Sequence, residues 1–164
     1  MLNNFTIQDQ IKNCLKLAER MDIVDEDHYD QSNFFDREDY GKSITITKIH
    51  HCGTSACALG HAATMRYFNN RGIDYKVNSW NEYDYEKGKT IKVHEILLGK
   101  NSWENAIVVF GLADNNQPSL VKGEHCCYDR GEMFGGNFEV KHNGTPKGVA
   151  KALREHAESL REQL

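Results

Sequence analysis

The stretch "KSITITKIHHCGTSACALGHAATMRYF", Lys42–Phe68, changes its period in the middle, and the way it is read decides the fold. Up to Ile49 it alternates Ile44 and Ile46 against Thr45 and Thr47, the two-residue period of a β-branched strand. Beyond Cys52-Gly53 an apolar, helix-like run follows, formed by Cys57, Leu59, Ala63, Met65, Tyr67 and Phe68, with Ala56, Gly60 and Ala63 small enough for close packing. A strand running into a helix is therefore expected, the helix starting near Thr54 and ending by Asn69–Gly72, where asparagine and glycine suit a cap.

Outward from this junction the remaining elements follow. Thr6 with Asp9 three residues later is a capping box, and Ile7, Ile11, Leu15, Ala18 and Met21 recur along the helix it opens. "IDYKVNSW" after Gly72 reads as a second strand; a turn is expected at Lys87-Gly88, followed by either a strand or a short helix. Ser102 is placed to cap "WENAIVVFGL", which exits at Gly111. The glycine-rich "LVKGEHCCYDRGEMFGGNF" reads as a structured loop. Asn143-Gly144 then makes a turn, Thr145 caps, Pro146 takes the first helical position, and Val149, Leu153, Leu160 and Leu164 line the closing helix. The sum is a single α+β domain over residues 1–164, with about four helices and a small sheet.

Composition bounds the function classes. A chain of 164 residues with 39% hydrophobic and 27% charged residues suits one soluble core, and a net charge of -4 gives no overall basic field for nucleic acid. No apolar run approaches the roughly 18 residues of a membrane span, and "MLNNFTIQDQ" has no signal-peptide pattern, so a cytoplasmic protein without a membrane partner is expected. Five cysteines in such a setting point to reduced thiols. The charge is uneven: Asp22, Asp25, Glu26, Asp27, Asp30, Asp36, Glu38 and Asp39 stand against Arg37 alone. An acidic loop over about 22–42 is expected, offering a charged binding face.

The junction itself allows three chemistries. Cys52, at a helix start, would feel the positive end of the helix dipole and become a nucleophile, with His125 or His142 as base; His94 also lies in the right chain order. Alternatively His51, Cys52, Cys57 and His61 supply the nitrogen and sulfur ligands that zinc takes, with His125, Cys126 and Cys127 in reserve. In the third reading Cys57, Leu59, Ala63 and Phe68 are core, the favoured reading, because free cysteine behaves as a small buried hydrophobe and the adjacent histidines need only a hydrogen bond.

Two resemblances bear on the choice. Cys52-Gly53 opening a helix that ends in "MRYF", Met65–Phe68, resembles the start of papain-like double-glycine cysteine peptidases, and implies a Cys52-dependent hydrolase or transferase. More of the chain resembles a loose group of small uncharacterised bacterial and phage proteins through "CGTSACALGHA" (Cys52–Ala62), "AIVVFGL" (Ala106–Leu112) and "TPKGVAKAL" (Thr145–Leu153), in that order. That resemblance implies an intracellular accessory protein and carries no activity. With no complete catalytic set, the leading expectation is a phage-encoded protein that binds a host protein or small ligand, without a cofactor; the hydrolase and the zinc-binding module are its rivals.

Overall fold

A computed structural model describes residues 4–29, 36–37, 54–55, 58–112 and 145–164. The elements are helix α1 (Ile7–Asp22), a 3-10 turn (Glu26–His28), strands β1 (Asp36–Arg37) and β2 (Thr54–Ser55), helices α2 (Ala58–Ala63) and α3 (Arg66–Asn69), strands β3 (Tyr75–Asp84) and β4 (Lys89–Leu98), and helices α4 (Ser102–Phe110) and α5 (Pro146–Arg161). The fold is α+β, as expected.

The first helix starts where its capping box places it. The Thr6 hydroxyl accepts from Asp9 N (3.1 Å), and the Asp9 carboxylate accepts from Thr6 N (3.0 Å), satisfying two donors that the helix itself cannot. The closing helix likewise opens with Thr145 accepting from Gly148 N and with Pro146 at its first turn. These two helices pack along each other more extensively than any other helix pair, and α1 also meets α4 and α2. Leu17, Ala18 and Met21 of α1, Val149 and Leu153 of α5, Val109 and Phe110 of α4 and Phe68 of α3 form one core. The rings of Phe68 and Phe110 lie 5.3 Å apart within it.

Several expectations change. The single helix expected from Thr54 is three pieces: Thr54 and Ser55 pair with Arg37 and Asp36 in a short antiparallel bridge, and the helical part divides into α2 and α3. The break has a local cause. The Thr64 hydroxyl donates to His61 O (2.7 Å), competing with the helical pattern, and Met65 turns extended at φ -93°, ψ 121°. Asn69 then donates to Ala63 O, a carbonyl left over by the break, and to Ile73 O beyond the end of α3. This split brings the described helices to five. Ser102 is the first residue inside α4 rather than its cap; Asn101 precedes the helix without a side-chain bond. Leu164 lies beyond α5 and is 72% exposed, so it is not part of the helix's inner face. The strand over Lys42–Ile49, the loop over 120–138 and the Asn143-Gly144 turn fall outside the described residues.

The ambiguous segment after Gly88 is a strand. β3 and β4 pair antiparallel from Tyr75↔Leu98 to Asp84↔Lys89. The turn is closed by Asp84, whose Oδ1 accepts from Glu86 N and Lys87 N, and by Gly88, whose φ of 59° is the left-handed conformation that favours glycine.

Candidate functional site

The histidine-rich junction is described in part. α2 is enclosed on all sides, every residue from Ala58 to Ala63 being buried, which agrees with the core reading of that turn. His61, 3% exposed, directs Nε2 at His28 O (2.9 Å). A ring nitrogen facing a carbonyl carries the proton, so Nε2 donates there and only Nδ1 has the lone pair that a metal needs. Among the described residues no cluster of His, Cys, Asp and Glu is arranged to hold a metal ion. Cys52, His125 and His142 of the proposed nucleophile set lie outside the described residues, as do His51 and Cys57 of the proposed zinc set. His94 sits in β4 opposite Ser79.

The acidic segment begins within α1. Asp22 is the last residue of that helix, and its carboxylate takes the Arg154 guanidinium of α5 in a paired contact. The Arg154 hydrogen bond holds the Asp22 carboxyl below the usual carboxylate range. Asp25, Glu26 and Asp27 are exposed on and before the 3-10 turn. Asp36 is in β1, while Asp30, Glu38 and Asp39 lie outside the described residues.

Cys14 is described fully. It is buried in α1 with its Sγ 3.7 Å from Phe110 O, and burial pushes its thiol up to about 12. At that value the thiol is neutral and chemically inert at ordinary pH.

The feature that the sequence expectations passed over is the ribbon of β3 and β4. Every residue of β3 from Lys76 to Tyr83 is exposed, whereas Val93 and Ile96 of β4 are buried. β4 is thus the inner strand and β3 the outer. Exposure falls on large side chains: Val77, Trp80 (43%), Tyr83 (50%) and, at the turn, Tyr85 (88%). The Tyr83 and Tyr85 rings meet edge to face with centroids 5.1 Å apart. Trp80 shares one face with Val93, and Val77 shares the other with Ile96.

The ribbon is held rigidly at its base. Gly99 N donates to Asp74 O (2.8 Å), and the buried Ser102 hydroxyl accepts from Asp74 N and donates back to Asp74. A Cβ on Gly99 would overlap the Asp74 carboxylate, so glycine is required for this approach. Asn105 of α4 donates to Gly72 O (2.6 Å) just upstream, and Tyr75 and Leu98 pack against the core. A two-stranded ribbon is marginal by itself in water. Here it is fixed to the core at its base and extends its aromatic residues outward.

A sequence signal for this surface exists. "YKVNSWNEYDY", Tyr75–Tyr85, lacks the apolar/polar alternation of a half-buried strand and places aromatics at both parities. Such a strand cannot bury one face without burying polar residues, so its aromatics must stay outside.

Comparison with protein-family models, with curated proteins and with solved structures finds no match to this chain. No described helix is long and apolar enough to cross a membrane.

Proposed function

We propose that this is a phage-encoded accessory protein of the cytoplasm that acts by binding a host protein rather than by catalysis, with the β3–β4 ribbon as its contact surface. The observation that carries this reading is the concentration of exposed Val77, Trp80, Tyr83 and Tyr85 on one anchored ribbon. Aromatic residues of this kind supply large contact area with few rotamers to freeze, and they are enriched at protein interfaces. A strand exposed on both faces, as β3 is, offers no concavity, which a small molecule needs, so a protein is favoured over a small ligand. Exposed Asp25, Glu26 and Asp27 add negative charge that would steer a basic partner, chiefly through the association rate.

The experiment is affinity capture from host lysate, comparing the wild type with Trp80→Ser/Tyr83→Ser/Tyr85→Ser and with Asp25→Asn/Glu26→Gln/Asp27→Asn. A discrete protein retained by the wild type and the charge variant but lost by the ribbon variant supports the reading. Capture that is unchanged in the ribbon variant, or no capture by the wild type, overturns it.

A further inference from the structure

Both ends of the β3–β4 ribbon meet the first turn of α4. The chain enters through Gly72–Asp74 and leaves at Gly99, and the two ends are joined where Gly99 N donates to Asp74 O (2.8 Å). Ser102 and Asn105 lie three residues apart in α4, on one face of the helix. Ser102 is fully buried; its hydroxyl accepts from Asp74 N at 2.9 Å and directs its own proton back at Asp74, while its N–H donates to Gly99 O (3.0 Å). Asn105 donates to Gly72 O at 2.6 Å. A Cβ on Gly72 would overlap the Asn105 amide, as one on Gly99 would overlap the Asp74 carboxylate, so these side chains are seated directly against backbone.

Helix α4 is itself held at its other end. Its last carbonyls accept from Gln10 and Asn13 of α1 and from His156 of α5. Asn13 also accepts from Tyr67 OH, and Arg71, the residue before Gly72, donates to Tyr67 O and stacks on the Tyr67 ring. These contacts close a ring that runs from Asn13 into α4, through Asn105 to Gly72, and through Arg71 and Tyr67 back to Asn13. The base of the ribbon is thereby tied to the helical core by two routes.

Direction is what these bonds supply. Tyr75 and Leu98 pack against the core at the base, but the hydrophobic effect is non-directional and by itself leaves a two-stranded ribbon able to tilt. Hydrogen bonds weaken steeply as they depart from linearity, and so resist tilting. The lever is long. At about 3.3 Å per residue the ten residues of β3 span roughly 30 Å, so a tilt of about 10° at the base moves the tip by about 5 Å. Pre-organised protein interfaces shift by less than about 1 Å on binding, so a tilt of that size would misplace the contact residues.

We infer that Ser102 and Asn105 are positioning residues, which set the direction in which the ribbon presents Trp80, Tyr83 and Tyr85 without belonging to that surface. The consequence for binding rests on reading the ribbon as the contact surface; the orientation itself does not.

The test reads orientation from residual dipolar couplings of the backbone amides in the full chain, with no partner present. In the wild type the ribbon and helices α1 and α5 are expected to fit one alignment frame, with order parameters near the rigid value of about 0.85. In Ser102→Ala/Asn105→Ala the ribbon is expected to keep its β3–β4 pairing while its order parameters relative to the helices fall to about 0.6 or below. The single variants Ser102→Ala and Asn105→Ala are expected to lie between, and they carry the test if the double variant does not fold. Thr145→Ala, which removes the α5 cap, controls for lost stability and should leave the ribbon's order at the wild-type value. A ribbon already loose in the wild type, or one whose order is unchanged in the Ser102 and Asn105 variants, overturns the proposal. So does an equal fall in Thr145→Ala, which would mark general loosening, and so does loss of the β3–β4 pairing, which would mean that these contacts hold the ribbon together rather than aim it. Because no partner enters the measurement, failed lysate capture leaves this result standing, and an unchanged ribbon here leaves the host-binding reading standing.

Discussion

At the scale of single residues, the centre of the molecule is a polar clasp inside an apolar core. Helix α4 ends with carbonyls that have no partner in the helix, and side chains of its neighbours supply the donors: Gln10 to Val108 O, Asn13 to Val109 O, and His156 to Phe110 O. Asn13 is buried, and its own Oδ1 accepts from Tyr67 OH at 2.8 Å, while the Arg71 guanidinium lies 3.7 Å over the Tyr67 ring. Asn13→Ala leaves a buried carbonyl and a phenol without partners, so a loss of about 1–3 kcal/mol is expected in denaturant unfolding. Cys14, beside it, gives a pH prediction. Its folded value near 12 lies above its ordinary 9.0, so between those limits the unfolded chain releases a proton that the folded chain keeps. The Cys14 contribution is complete below about pH 9 and declines above it, by up to about 1.4 kcal/mol per pH unit. A Cys14→Ala chain should show a shallower loss of stability from pH 9 upward; equal slopes would show that Cys14 is not the titrating group.

At the scale of elements, caps decide where helices start and stop. Thr145→Ala removes the acceptor for Gly148 N and should cost about 1 kcal/mol, read as a lower melting midpoint. Gly111 ends α4 at φ 64°, and a Cβ there would press on the Gln10 side chain. Gly111→Ala is expected to cost roughly 1–2 kcal/mol from backbone strain alone, and more if the Gln10 bond to Val108 O is displaced. These caps were legible because a cap is a local matter of one side chain and one turn: Thr6, Thr145 and Gly111 act where the sequence places them. The division of α2 from α3 was not legible. Its helical spacing is intact, and the break depends on Thr64 and Asn69 finding carbonyls that only the folded chain presents. Ser102 was misplaced for a similar reason, since its hydroxyl serves Asp74 across the base of the ribbon rather than its own helix.

At the scale of the whole molecule, stability is divided between a helical core and an extended ribbon. Hydrogen exchange should follow that division: amides of α1 and α5 exchange last, near the global unfolding free energy, and those of the exposed β3 strand exchange earlier. The Asp22–Arg154 pair joins the two long helices at the surface, with both side chains more than a third exposed. Because the Asp22 carboxyl is held low, its contribution is present above the ordinary carboxylate range and lost as the pH falls through the folded value. Solvent screening keeps it small, so Asp22→Asn should change neutral-pH stability by less than about 1 kcal/mol and weaken the acid sensitivity slightly. A larger loss would mean that Asp22 holds more than this one pair.

The sequence by itself determined the α+β class, the starts of the two long helices, the strand after Gly72 with its turn at Lys87-Gly88, and the helical character of the chain around Ala58–Phe68. These follow from periodicity and from caps, which are properties of neighbouring residues. Only the tertiary structure decided which side chains complete those elements: Gln10, Asn13 and His156 on the end of α4, Ser102 on Asp74, His61 on the His28 carbonyl, and Arg154 on Asp22. It also decided that β4 is the inner strand and β3 the outer. A strand's pattern states which faces it can bury, but which of two paired strands is buried depends on what packs beside it, and that is a relation between residues far apart in the chain.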